Sequence, residues 1–379
     1  MSHALDLKKK RSSSVEPDED QEDKTRSNNK KQKSVKITYK HKLSNGSVLE
    51  FCPDKCNDYY HHYSFKLNSL QDLVALDEFY TARFDKTKTS NLQFSTIHRI
   101  VPAVKKLLQL VGMDDAKRSI LYIISYYMQK LDTENQEMLH TVIYGVPGCG
   151  KTRLCQVLAD IYAGLGVLPT NKTTFVKRAD LVAGYLGQTA TKTKKVIDEA
   201  MGGILVIDEA YSLGDKEQRD SFSRECIDTL NQYLSERKGE FICVIAGYKE
   251  DLEERFFKTN PGLERRFPIR FHLSKYNPPH LRDIFHRMVA EQGWRIDEDA
   301  SPLIFFERNH DLFEFQGGDM ELLFGKVKLE HGLRLFGQAP EDRKRITKED
   351  VEAGMEQFVT NRQKKPENNL KDIMNMMYV

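Results

Sequence analysis

Large apolar residues are scarce in the first 36 positions, where Ser, Lys, Asp, Glu and Asn dominate. Such a stretch cannot bury enough surface to offset its ordering entropy, so the pattern predicts a disordered tail over 1–36. From Val35 the texture changes. KITYKHKL, the Asn45-Gly46 pair and SVLEFCP read as a β-hairpin, and SLQDLVALDEFYTARF reads as a helix. Together they predict a small α+β module over 37–96. Between 97 and 275 short apolar runs alternate with helical periodicity. Strands are expected at HTVIYG (140–145), TTFVKRAD (173–180), GILVIDEA (203–210), EFICVIAGY (240–248) and FPIRFHL (267–273). Helices are expected at KTRLCQVLADIYAGL (151–165), TKTKKVIDEAMG (191–202) and SFSRECIDTLNQYLSE (221–236). That alternation is the signature of an α/β fold, a parallel sheet flanked by helices. Four further helical stretches over 276–362 predict a separate helical bundle, and 363–379 is a polar tail ending in IMNMMYV.

Composition narrows the function classes. Among 379 residues the net charge is only +2, so no global field draws the chain to nucleic acid or to an acidic partner. Six cysteines in no regular framework fit a reducing compartment. No run approaches the roughly 20 apolar residues that span a bilayer. The expectation is a soluble, intracellular, cytoplasmic protein with no membrane partner. Two basic clusters, Lys8-Lys9-Lys10-Arg11 and Lys30-Lys31-Gln32-Lys33, fit either a nuclear-import or polyanion-binding tail or a solvated spacer. Cys52, Cys56, His61 and His62 are metal-ligand types without the paired spacing of a zinc knuckle, so core packing has the better claim than zinc.

The chemistry gathers at two strand ends. Gly145-Val146-Pro147-Gly148-Cys149-Gly150-Lys151-Thr152 matches GxxxxGK[ST]. Its glycines let consecutive backbone N–H groups face phosphate oxygens, and the following helix adds its N-terminal dipole. Lys151 can then reach the β- and γ-phosphates of ATP, and the Thr152 hydroxyl can ligate Mg²⁺. The apolar strand ending in Asp208-Glu209 brings two acids to the carboxyl edge of the sheet, where open α/β folds bind ligands. Asp208 suits Mg²⁺; Glu209 suits a general base for the attacking water. A third stretch, GYLGQTA (184–190), sets Tyr185 and Leu186 between glycines, as a loop tip would.

GVPGCGKT, LVIDEA and NPGLERRF together resemble the AAA+ ATPase superfamily. RADLVAGYLGQTATKTKKVIDEAMGGILVIDEAYSL is similar, more narrowly, to the CbxX/CfqX group, which includes red-type rubisco activases and the stage V sporulation protein K. The resemblance covers roughly 100–360. It implies an AAA+ core with a C-terminal helical lid, Val111 and Gly112 in the adenine pocket, and Arg266 as an arginine finger acting in trans, with Arg265 as the alternative. A trans-acting finger implies a ring, usually a hexamer. The GYLGQTA loop would then face the pore, with Tyr185 and Leu186 as its grip. Two departures stand out. Ala246-Gly247-Tyr248 occupies the sensor-1 region, leaving Tyr248 as the candidate there, and Met320 occupies the place of the lid arginine, which puts direct nucleotide sensing by the lid in doubt.

Three functions fit these features. The first is an ATP-driven remodeller that threads a protein client through a ring. The second is a nucleotide-gated assembly scaffold with little threading. The third is a nucleic-acid translocase or loader, for which Lys192, Lys194 and Lys195 lie close behind the tip.

Overall fold

A computed structural model of the chain describes residues 38–53, 60–83, 89–132, 137–185, 187–214, 220–297, 299–338 and 343–363. The expected tail over 1–36 and its basic clusters, Cys56, Leu186 and residues 364–379 lie outside the described residues. Residues divide into two compact units, 1–97 and 98–379.

In the first unit, β1 (Tyr39–Lys42) and β2 (Val48–Pro53) pair antiparallel around the Asn45-Gly46 turn, as their alternation predicted. Two partners were not read from the sequence: β3 (Tyr60–Ser64), antiparallel to β2, and β4 (Thr89–Ser90), parallel to β3. Between them, α1 (Leu70–Arg83) buries Leu73, Ala75 and Leu76. Asp72 joins helix to hairpin: its carboxylate accepts from Asn45 Nδ2 at 2.6 Å, Ser47 Oγ at 2.7 Å and the Asn68 and Ser69 amides. Burial pushes its pKa up, but those four donors outweigh burial and the net direction is down.

The chain passes through α2 (Phe94–Gln109) and α3 (Asp114–Met128), neither resolved as an element in the sequence pattern. Then come β5 (Thr141–Gly145), α4 (Lys151–Leu165), β6 (Thr173–Val176), α5 (Arg178–Leu181), α6 (Thr189–Glu199), β7 (Ile204–Asp208), α7 (Ser221–Glu236), β8 (Ile242–Gly247), α8 (Lys249–Asp251) and β9 (Ile269–Leu273). The five strands form one parallel sheet in the order β6-β7-β8-β5-β9. Strands covered on both faces should read as unbroken apolar runs, and β5, β7 and β8 do, with Val142, Leu205, Ile207 and Ile245 fully buried. Truncating one of these to Ala would cost about 2–5 kcal/mol.

One expected strand is shorter. Residues 173–180 do not run as a single strand: β6 stops at Val176, because the Asp180 carboxylate captures the Lys177 amide at 2.8 Å and starts a helical turn. The central sheet also carries a buried polar clamp. His140 donates from Nε2 to the Leu234 carbonyl at 3.2 Å and accepts the Cys243 amide at Nδ1 at 3.0 Å. Burial pushes its pKa down to about 4, so it stays neutral.

The C-terminal part is helical, as expected: α9 (Pro278–Glu291), α10 (Leu303–Arg308), α11 (Gly317–Arg334) and α12 (Lys348–Gln363), with a core of Phe285, Phe306, Phe313, Phe324 and Phe358. It also holds a short parallel ribbon that the helical periodicity hid, β10 (Arg295–Ile296) with β11 (Arg345–Ile346).

Candidate functional site

Sheet order decides where a ligand can sit. The chain leaves β5 for the far edge at β6, returns through β7 and β8 to lie beside β5, and crosses to β9 on the other side. The carboxyl ends of β5, β7 and β8 therefore open on one crevice at the switch point of the sheet. There the structure forms a cleft of about 490 Å³. Gly145, Pro147, Gly148, Gly150, Lys151 and Thr152 line it from the loop after β5, Asp208 and Glu209 from β7, and Tyr248 from β8. Val111 lines it too, while Gly112, Val146 and Cys149 do not.

The phosphate loop is built by close approach. Gly148 has φ +74° and Gly150 φ +89°. A Cβ on Gly148 would run into the Phe315 carbonyl, so the backbone itself is the surface at this point. Lys151 begins α4, and its Nζ donates to the carbonyls of Gly145 at 3.0 Å and Val146 at 2.9 Å. Both acceptors are neutral, so an anionic phosphate oxygen would compete well for the ammonium. Cys149 is buried beneath the loop, and burial pushes its thiol pKa up.

Opposite the loop, Asp208 closes β7 and Glu209 follows with φ +53° and ψ +40°, a left-handed backbone rare for a residue with a Cβ. Two bonds fix it: the Glu209 amide donates to Asp208 Oδ1 at 3.1 Å, and its carbonyl accepts the Ser212 amide at 2.8 Å. The turn breaks the strand direction, leaving Glu209 exposed on the cleft. Tyr248 stands just past β8, its ring 6.2 Å from that of Tyr211, which the sequence reading had not singled out. A carboxylate and a hydroxyl on one cleft, Asp208 and Thr152, are the hard oxygen donors that suit Mg²⁺.

Part of the cleft's wall is apolar. Val111 and Met113 face Ile284 and Met288 of α9, and Arg287 and Glu291 of the same helix complete that wall. These α9 residues escaped the sequence reading. The sequence showed only a helical stretch there, and only the fold shows that this face meets a segment more than a hundred residues earlier. Met320, at the expected lid-arginine place, is fully buried in the helical core and does not reach the cleft.

The remaining candidates lie outside the cleft. Arg266 is half-buried against α7, donating from Nε to Ser235 Oγ at 2.8 Å and from Nη1 to the Gly262 carbonyl at 3.4 Å, while Arg265 is exposed. Tyr185 is 75% exposed on the loop between α5 and α6, and Leu186 beside it is not described. Among the described residues no cluster of three metal-ligating side chains occurs; the Cys52–His62 stretch falls largely outside them. Cys149, Cys155, Cys226 and Cys243 are free and buried. No helix among the described residues is long and apolar enough to cross a membrane.

Comparison with known proteins agrees with this geometry. The family described as "ATPase family associated with various cellular activities (AAA)" matches residues 141–274, which hold all five strands of the sheet. The putative cfxQ-like protein R730 of Acanthamoeba polyphaga mimivirus is 36% identical over 338 residues, covering 88% of this chain and 80% of that protein. The chain belongs to the AAA+ ATPases of the CbxX/CfqX type. As a member it is an ATP-hydrolysing P-loop enzyme. Stage V sporulation protein K of Bacillus subtilis is 36% identical over 210 residues, 54% of this chain and 65% of that one. EccA3 of the ESX-3 secretion system of Mycobacterium tuberculosis is 33% identical over 231 residues, 59% of this chain but only 34% of that one. The shared AAA+ part is therefore a minority of the longer relative's length.

Proposed function

We propose that this AAA+ ATPase works as a ring-shaped oligomer, a hexamer, that spends ATP to thread or remodel a protein client. In this reading the phosphate-loop amides and Lys151 bind the β- and γ-phosphates, and Val111 with Gly112 borders the adenine. Thr152 and Asp208 would hold Mg²⁺, which supplies electrostatic neutralisation of the phosphate oxygens. Glu209 orients the attacking water and takes its proton. Tyr248 contacts the γ-phosphate side of the cleft as the sensor. Arg266 would leave Ser235 and enter a neighbouring subunit's cleft, with Arg265 as the alternative; loss of such a finger costs about 10³–10⁵ in rate. The core over 97–275 and the lid over 276–362 act as one motor, and the module over 37–96 serves as adaptor.

The observation that carries the choice of client is the tip. Tyr185 presents its ring to solvent, flanked by glycines around which a Cβ would meet nothing within 4 Å. Of the lysines behind it, Lys192 is folded back, its Nζ donating to the carbonyls of Ala179 at 2.6 Å and Val182 at 2.9 Å. It thus caps the end of α5 rather than offering itself to a phosphate backbone, which supports apolar grip on a polypeptide. EccA3 is by name part of a secretion system, a setting in which a polypeptide client fits. The test is Tyr185→Ala, with oligomer size, basal ATPase and unfolding of a bound polypeptide measured together. The expected result is an intact ring and basal rate with remodelling lost. Loss of a DNA-stimulated ATPase instead would move the client to nucleic acid, and no change in any assay would favour the scaffold.

A further inference from the structure

The place of the lid arginine is taken by a buried methionine, yet the lid still touches the phosphate loop. The contact is made by main chain. At the first residue of α11 the Gly317 amide donates to the Gly148 carbonyl at 3.1 Å. At the next residue of the loop, the Tyr276 hydroxyl donates to the Cys149 carbonyl at 2.8 Å. Two consecutive phosphate-loop carbonyls are thus pinned from outside. In a turn of this kind, a carbonyl held outward turns the amide of its own peptide plane toward the cleft; of those two amides, that of Cys149 also makes a long bond to the Val146 carbonyl at 3.4 Å.

One side chain joins the two pins. Gln316 is 2% exposed; its Oε1 accepts the Tyr276 amide at 2.7 Å and its Nε2 donates to the Phe313 carbonyl at 2.7 Å. Its own backbone stands at φ +51° and ψ −114°, a costly conformation for a residue with a Cβ. That conformation aims the following amide, Gly317, at the loop. The strap is tied down beyond it as well. The Asp319 carboxylate accepts the Phe315 amide at 2.7 Å and pairs with Arg362 of α12. A strained residue over-determined by its surroundings marks a functional constraint more often than an accident of packing.

We propose that Gln316 is a positioning residue for nucleotide binding. Through Tyr276 and Gly317 it presets the phosphate loop, and so couples the lid to the nucleotide without a lid arginine. The proposal rests on the reading that this loop holds the phosphates of ATP. Preorganisation of the loop acts on ADP and ATP alike, so its loss should weaken binding rather than the chemical step.

The test uses the full chain with two variants, Gln316→Ala and Tyr276→Phe. The second removes a single hydroxyl and guards against misfolding of the first. Affinities for ADP and for a non-hydrolysable ATP analogue are measured by calorimetry, alongside kcat, KM and the thermal midpoint. Losing one of these buried bonds should weaken both nucleotides by roughly tenfold. KM should rise by a similar factor with kcat within about twofold. Because Gln316 acts in part through Tyr276, the double variant should fall short of the product of the single effects. Unchanged affinities in both folded variants, with only the thermal midpoint lowered, would reduce Gln316 to a structural role and overturn the inference alone. Failure of the parent protein to bind either nucleotide would overturn the phosphate-loop reading, and this inference with it.

Discussion

Two glycine-bounded loops of the α/β core lead into helices, yet they are built on opposite terms. In the loop after β5, a Cβ on Gly148 would collide with the Phe315 carbonyl, and the neighbouring carbonyls are pinned by Gly317 and Tyr276. In the loop after α5, Gly184 and Gly187 have nothing within 4 Å of a Cβ, and Tyr185 projects into solvent. One loop uses glycine so that the backbone can be approached. The other uses it beside an aromatic residue that is 75% exposed. On the proposed function, the difference would separate holding a small anion, which needs a fixed surface, from gripping a polymer, which needs a tip free to follow its partner.

The sharpest way to break this comparison is to put the same methyl group on both loops. Gly148→Ala should abolish measurable ATP hydrolysis, because it drives the lid strap off the phosphate loop at a φ that disfavours any side chain. Gly184→Ala should leave the basal rate unchanged and the unfolding free energy within about 0.5 kcal/mol of the parent. An active Gly148→Ala protein would remove the fixed-surface half of the contrast. Glu209→Gln comes next: steady-state hydrolysis should fall by about 10²–10⁴ while calorimetric ATP affinity is kept, as expected for loss of a general base. Undiminished turnover would take Glu209 out of that role.

The smallest effect concerns the lid. Asp350 accepts from Arg334 Nε at 2.6 Å, the Thr347 amide at 3.0 Å and His331 Nδ1 at 2.8 Å. Burial pushes its pKa up, but the Arg334 side chain, the Thr347 amide and His331 outweigh this and take it down to about 2. A carboxylate with a depressed folded-state pKa stabilises above its unfolded value and loses that contribution as pH falls. Chemical denaturation followed from pH 6 to 2 should therefore lose stability mainly between about pH 4 and 2, and Asp350→Asn should flatten that part of the profile.

Much of the fold could be read from residues alone. The short, unbroken apolar runs of β5, β7 and β8 fit strands covered on both faces, and α7 spans the expected 221–236. The helix after the phosphate loop likewise begins at Lys151, because the motif itself places a helix start there. Legibility failed where a single bond, a very short element or a distant segment decides. β6 ends early because one aspartate three residues on captures an amide, and β10 and β11 are two residues each, too short for any periodicity. In the site, the phosphate-loop, Asp208 and Glu209 positions announced themselves by pattern, and the cleft gathers them. Ile284, Met288 and Gln316 did not. Their types are ordinary for a helix face or a loop, and only tertiary placement gives them a part.

The left-handed backbone at Glu209 has a consequence for how this position can vary. Glycine or asparagine would relax the turn by about 1–2 kcal/mol, so folding alone selects against the residue that is there. A copy of this gene released from the duty of hydrolysis would drift at this codon toward a sturdier, inert protein. On the role proposed for Glu209, a glutamate kept there against this cost is what selection for turnover would leave.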